Sequence, residues 1–188
     1  MTRFSTFLLA VVMVASGTTF AVAQQARYIF NPNFLYYGES RSGPIPRAVV
    51  SFQSSYAPGT IYIDTNERRL YLVMSQGQAI RYGIGVGRDG FGWGGALRVS
   101  AKREWPNWFP PAEMLARRPD LPRFMPGGPE NPLGARALYL GSTLYRIHGS
   151  NEPETIGQAV SSGCFRMTND DVIDLYNRVS VGATVIVR

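Results

Sequence analysis

Residues 61–64 (Ile-Tyr-Ile-Asp) and 69–74 (Arg-Leu-Tyr-Leu-Val-Met) are short β-rich runs, and Thr65-Asn66-Glu67-Arg68 separates them as a hairpin turn. Comparable runs predict further strands at 79–86, 96–102, 136–140, 143–148 and 184–187. One helix is signalled near the end. Thr168 and Asp171 form a capping-box-like start, Val172, Leu175, Tyr176 and Val179 recur at spacings of three and four, and Gly182 closes it. A shorter helical turn is expected over 152–157, where Asn151 can cap and Pro153 suits the first helical position. Between 106 and 134 lie eight of the thirteen prolines with no period, the mark of a functional lid or binding loop. The expected fold is mainly β and mainly antiparallel.

The first 48 residues read differently. Arg3 precedes an apolar run over 7–15, and Ala21-Val22-Ala23 follows as a small-x-small cleavage signature, so residues 1–23 are expected to be a secretory signal peptide. The run is about half of the roughly 20 residues a membrane span requires, so no stable span is expected after cleavage. Residues 24–48 mix aromatics with Pro, Gly and Ser and read as a linker or N-terminal arm, which leaves 49–188 as one domain. The expected location is outside the cytoplasm, in the periplasm or cell envelope.

Composition sharpens this picture at two points. Of 19 basic residues all but Lys102 are arginine, and the formal charge is +6, which favours an anionic partner gripped through carboxylate or phosphate. The arginines are scattered and the chain is expected to be exported, so nucleic acid is not the expected partner. The second point is cysteine. Exported proteins commonly use cysteine in pairs, whereas Cys164 stands alone and cannot form an internal disulfide.

Two familiar chemistries fail on physical grounds. Gly85-Val86-Gly87-Arg88-Asp89-Gly90 matches G-x-G-x-x-G, but a dinucleotide site needs a helix to follow, and Phe91-Gly92-Trp93-Gly94-Gly95 would not form one. A zinc site needs three or four ligands of suitable type, and one His with one Cys excludes a His/Cys-rich site. No cofactor and no metal is expected.

The singletons themselves remain. His148 ends the run Tyr145-Arg146-Ile147, and Cys164 follows sixteen residues later within Ser161-Ser162-Gly163-Cys164-Phe165-Arg166. An ordinary cysteine is only about 3% thiolate at neutral pH, so a nucleophilic one needs a base, and His148 is the only imidazole. The small residues before Cys164 leave its backbone open, and the N–H groups of Gly163 and Cys164 are candidates for an oxyanion hole. The alternative is that both residues merely fill the core.

These residues resemble the signature of the L,D-transpeptidase (YkuD-like) family: His, a spacer, then Ser/Thr-His-Gly-Cys-hydrophobic-Arg/Asn. Ile84-Gly85-Val86-Gly87, Asn131-Pro132-Leu133-Gly134-Ala135-Arg136-Ala137-Leu138 and Ile147-His148-Gly149 extend the resemblance from about residue 58 to the C-terminus. One position departs from the pattern: Ser162 stands where the family usually has His before Gly-Cys. The family's base is generally the first His, which matches His148.

The resemblance implies an antiparallel, β-sandwich-like catalytic domain with Cys164 as nucleophile, His148 as general base and acid, and the Gly149 carbonyl orienting the imidazole. It implies attack on a peptidoglycan stem tetrapeptide, a thioester with loss of D-Ala, and transfer to an amine of another stem or of an envelope protein. Arg166 lies two residues beyond Cys164, where alternation puts it on the same face; it would bind a stem carboxylate, or pair with Asp170 or Asp171. Trp93, Trp105, Trp108 and Phe109 either line the cleft or pack in the core. Two other readings stay open: a carboxypeptidase or endopeptidase hydrolase at the same site, and a non-catalytic cell-wall-binding module whose cysteine is slow to alkylate.

Overall fold

A computed structural model describes residues 44–188 of the chain. The expected signal peptide and all but the last residues of the expected arm lie outside the described residues.

Among the described residues, eleven strands and two α-helices follow in the order β1 (Ala48–Ser51), β2 (Ile61–Asp64), β3 (Arg69–Val73), β4 (Gln78–Gly83), β5 (Val86–Gly87), β6 (Gly95–Glu104), α1 (Ala112–Arg117), β7 (Arg136–Leu140), β8 (Arg146–His148), β9 (Ala159–Ser161), β10 (Phe165–Arg166), α2 (Asn169–Arg178) and β11 (Thr184–Val187). Nine strands hydrogen-bond in the order β1-β4-β3-β2-β11-β6-β7-β8-β10, and β5 pairs with β9 alone. Strand β6 joins two halves: its first residues pair with β11 and its last with β7, with a register shift between Val99 and Ala101 where the strand bends. Most pairings are antiparallel as expected, but β2–β11, β8–β10 and β5–β9 are parallel, so the sheet is mixed.

Local chemistry explains where expectation and structure part. The hairpin turn forms as read: Asp64 Oδ1 accepts from the N–H groups of Asn66 and Glu67 at 3.0 and 2.9 Å, and Arg68 turns the chain at φ 56°. The single strand expected over 79–86 breaks, because Gly85 leaves β4 and exchanges two 2.9 Å backbone hydrogen bonds with Arg166. The strand expected over 143–148 starts only at Arg146, since the Thr143 hydroxyl donates to the Leu140 carbonyl and accepts from the Tyr145 N–H, making a turn instead. Only a 3-10 turn, Pro153–Thr155, forms within 152–157, and Glu152 rather than Asn151 stands at its cap. Helix α2 begins on Thr168, whose Oγ1 accepts from the Asp171 N–H at 3.2 Å, and ends at Arg178 before the expected Gly182.

The core lies between the inner sheet faces and α2. Alternation sends Ile61, Ile63, Leu70 and Leu72 inward, where they join Leu138, Ile147, Phe165, Val172 and Leu175 in one cluster. Each such side chain stabilises the fold by about 1.5–3 kcal/mol through burial. Ile147 and Phe165 are neighbours in the β8–β10 register, so the core anchors the two strands that carry the candidate chemistry.

The Pro-rich segment 106–134 is not featureless. It contains α1, which buries no residue, and it is tied down by Asn131, which is 1% exposed. Asn131 donates through Nδ2 to the carbonyls of Pro106, Met125 and Pro126 and accepts through Oδ1 from the Leu133 N–H. One side chain thus satisfies backbone groups that the prolines around it cannot pair.

Candidate active site

Strands β8 and β10 run parallel with His148 beside Arg166 and Ile147 beside Phe165. The Met167 N–H bonds to the His148 carbonyl at 2.8 Å, and the other edge of β10 is held by Gly85. Ile147 and Phe165 face the core, so alternation places Arg146 and His148 together with Cys164 and Arg166 on the opposite face. The two singletons and both arginines therefore share one face of one strand pair.

His148 is buried, and its Nδ1 lies 2.6 Å from the Gly149 carbonyl. A carbonyl can only accept, so Nδ1 carries the hydrogen and Nε2 presents its lone pair. Burial pulls the imidazole pKa down to about 3; the Gly149 hydrogen bond opposes this, and Arg166 and Arg146 add to it. At neutral pH the ring is a neutral proton acceptor. Glycine is required at 149 by space: a Cβ there would run into Asn169 Oδ1 and lie 3.0 Å from the Ala135 nitrogen. Asn169 Oδ1 itself accepts from the Ala135 N–H at 2.8 Å, which locks the start of β7 to α2 beside the histidine.

Cys164 is half-buried, and its thiol donates to the Leu144 carbonyl at 3.7 Å. Burial pushes its pKa up, while Arg146, through its charge, backbone and side chain, and then Arg166 pull it down. Arg146 is a residue that the sequence did not single out. It lies two positions before His148 on the same face, and this spacing was the only available signal.

The loop before Cys164 is braced from three sides. Gly163 has φ 105°, and a Cβ on it would meet the Tyr145 ring at 2.7 Å. Buried Ser161 accepts from the Gly163 N–H at 3.1 Å and donates to the Cys164 carbonyl at 2.6 Å. Trp93 donates its indole N–H to the Gly163 carbonyl at 2.8 Å and stacks on Tyr145 with centroids 4.4 Å apart. The Gly163 N–H, expected to serve an oxyanion together with that of Cys164, bonds to the Ser161 hydroxyl in this structure. The Cys164 N–H remains as the candidate.

Arg166 pairs with Glu152 at 2.9 Å, so the acid beside it is neither Asp170 nor Asp171. Of the four aromatics singled out, Trp93 borders the site, whereas Trp105, just before the Pro-rich segment, and Phe109, on it, are 43% and 62% exposed, and half-buried Trp108 pairs through its backbone with Met125. A groove of about 280 Å³ runs along Trp93, Gly163, Phe91, Gly87 and Asn66. The G-x-G-x-x-G segment forms β5 and a loop leading into β6, with no helix to hold a pyrophosphate. Among the described residues no three His, Cys, Asp or Glu gather to hold a metal, and no helix is long and apolar enough to cross a membrane.

Known proteins are similar to this chain in sequence and fold. The model of the L,D-transpeptidase catalytic domain, YkuD, matches residues 58–187. The Probable L,D-transpeptidase ErfK/SrfK of Escherichia coli K12 is 38% identical over 134 residues, covering 66% of this chain and 42% of that protein. The chain thus spans about two fifths of the length of that relative. A solved structure from Brucella melitensis, described as a probable carnitine operon oxidoreductase, is 49% identical over 74% of this chain and 91% of its own, with a TM-score of 0.53. The L,D-transpeptidase of Mycobacterium smegmatis shares the fold at 17% identity and a TM-score of 0.56, over 69% of this chain and 58% of its own. With His148 on β8 and Cys164 immediately before β10, inside a match that spans most of the chain, the protein belongs to the L,D-transpeptidase catalytic domain family.

Proposed function

We propose that the chain is an exported peptidoglycan L,D-transpeptidase acting through Cys164, with residues 1–23 as its leader. The observation that carries this reading is the 2.6 Å contact between His148 Nδ1 and the Gly149 carbonyl. It turns the Nε2 lone pair of a neutral imidazole toward use as a base, on the face that also holds Cys164.

The thiol proton passes to Nε2 as Sγ attacks the amide carbonyl of the third stem residue. The resulting oxyanion takes a hydrogen bond from the Cys164 N–H, and Arg146 offsets the negative charge that builds on sulfur. Collapse breaks the C–N bond, the imidazolium returns its proton to the departing D-Ala amine, and a thioester remains. An amine of a second stem or of an envelope protein then attacks, gives its proton to His148, and leaves an amide and the thiol. Arg166 binds a carboxylate of the donor stem by exchanging it for Glu152, whose side chain is 53% exposed and can swing away.

The test is mass spectrometry of the purified protein mixed with a defined tetrapeptide stem. A mass gain equal to the tetrapeptide minus D-Ala, absent in Cys164→Ala, is the expected result. Product without such dependence on Cys164 overturns the mechanism. A cross-linked dimer rather than a tripeptide identifies an amine, not water, as the acceptor.

A further inference from the structure

A second concave surface lies at the other end of the strand order from β8 and β10. The outer faces of β2, β3 and β4 carry Tyr62, Tyr71 and Arg81 in one row, each beside the next in register. Phe52, just after β1, stacks on Tyr71 with centroids 4.9 Å apart and lies 5.5 Å from Tyr62, and Tyr56 lies 5.7 Å from Tyr62. With Asp64, Glu67 and Arg188 these residues line a groove of about 470 Å³.

The groove is built in a way that ordinary sheet packing does not explain. An outer sheet face needs only solvated polar residues, yet here four half-buried aromatic rings cluster without a covering layer among the described residues. Tyr71 donates its hydroxyl to Glu67 at 2.6 Å, which holds that carboxylate beside the rings. Arg81 reaches the same groove with its Nε buried and without a hydrogen-bond partner. A buried donor of this kind costs about 1–3 kcal/mol unless a ligand or water meets it.

The chemistry of the lining selects the ligand. Two carboxylates and two guanidinium groups cancel, so a strongly charged ligand gains nothing, and the acids repel phosphate. Aromatic faces accept the flat C–H face of a pyranose, while carboxylates accept from its equatorial hydroxyls and a guanidinium donates to an amide or ring oxygen. We propose that this groove binds a neutral amino-sugar oligosaccharide, the glycan strand whose stem peptides feed the site at β8 and β10. The sugar class rests on the groove; the choice of glycan strand rests on the function proposed above. Binding there would hold the enzyme on its polymer while Cys164 samples neighbouring stems, which raises the effective concentration of donor.

Calorimetric titration of the full chain with N-acetylglucosamine tetramer and with glycan strands whose lactyl carboxyls are capped as simple amides, so that they stay neutral, tests this. Wild type is expected to bind both, Tyr62→Ala and Tyr71→Ala to bind about tenfold or more weakly, and Tyr71→Phe, which keeps the ring, to stay within about threefold. Release of D-Ala from a soluble tetrapeptide should be unchanged in all three variants, while turnover on intact sacculi falls in the two alanine variants. No binding by wild type, or equal binding by the alanine variants, overturns the proposal. Binding that emerges only when residues 24–43 are removed also overturns it, by making that segment the occupant. Failure of wild type to release D-Ala while the tetramer still binds would count against the transpeptidase reading alone.

Discussion

Trp93 donates its indole N–H to the carbonyl of Gly163, the residue before Cys164, at 2.8 Å. The donor comes from the loop between β5 and β6, so a segment distant in sequence fixes the peptide plane from which Cys164 extends. Stacking on Tyr145 keeps the indole in place, and the same Tyr145 ring leaves no room for a side chain at 163.

Trp93→Phe keeps a stacking ring but loses the donor. It should fold normally and lose about tenfold in kcat, the scale of one net hydrogen bond. Gly163→Ala meets both the ring and an unfavourable φ of 105°, so it should lose far more activity. Steady-state kinetics on a soluble tetrapeptide, with circular dichroism to establish folding, checks both; a Trp93→Phe variant with wild-type kcat would show that the bond does not position the loop.

The resting pair is a neutral thiol and a neutral imidazole, since burial raises the cysteine and lowers the histidine. Iodoacetamide should therefore modify Cys164 slowly at pH 7 and faster as pH rises, and His148→Gln should change that profile little. Slow alkylation, which the sequence alone would take as a sign of a decayed site, is here compatible with an active one. Rapid alkylation at pH 6 that vanishes in His148→Gln would instead show a preformed thiolate–imidazolium pair.

Stability should also report on His148. Its pKa is about 3 folded and about 6.5 unfolded. Between these values the unfolded chain binds a proton that the folded chain does not, so stability is fully present above pH 6.5 and falls as pH drops toward 3. Asp174, held low by Arg178, Tyr82 and Arg47 against the effect of burial, adds a loss only below about pH 3.8. The chain has one histidine, so the slope between pH 6.5 and 4.5 should be strongly reduced in His148→Gln. Urea midpoints across that range decide it, and an unchanged slope would show that the imidazole protonates in the folded protein.

Much of this arrangement was legible in the sequence, for identifiable reasons. Strands β2, β3, β7 and β11 bury alternate residues or unbroken apolar runs, so their periodicity is visible and their limits are close to those expected. Thr168 announces α2 because capping chemistry is local. Strands β5, β9 and β10 have two or three residues and exist only through partners far along the chain, such as Gly85 for Arg166. Periodicity cannot show them. His148 and Cys164 stood out because each is the only residue of its kind; Arg146 did not, because its part depends on a parallel pairing that no short-range pattern encodes.

Lys102, the only lysine, occupies a place that an arginine would fill badly. Its ammonium donates to the carbonyls of Tyr176 and Val179 at 2.5 and 2.6 Å and sits 4.0 Å from the Tyr176 ring, satisfying the end of α2 where the helix dipole is negative. Lys102→Met keeps the aliphatic stem and leaves these carbonyls unmet. It should cost about 1.5–3 kcal/mol, the value of hydrogen bonds to a charged group, and lower Tm by roughly 4–10 °C. Lys102→Arg should recover little of this, because a planar fork cannot converge on two carbonyls as a compact ammonium does. Thermal unfolding of both variants, with D-Ala release measured at 20 °C to keep stability apart from chemistry, decides the matter. If Lys102→Met melts with wild type, the end of α2 is satisfied by water and the lysine is incidental to the fold.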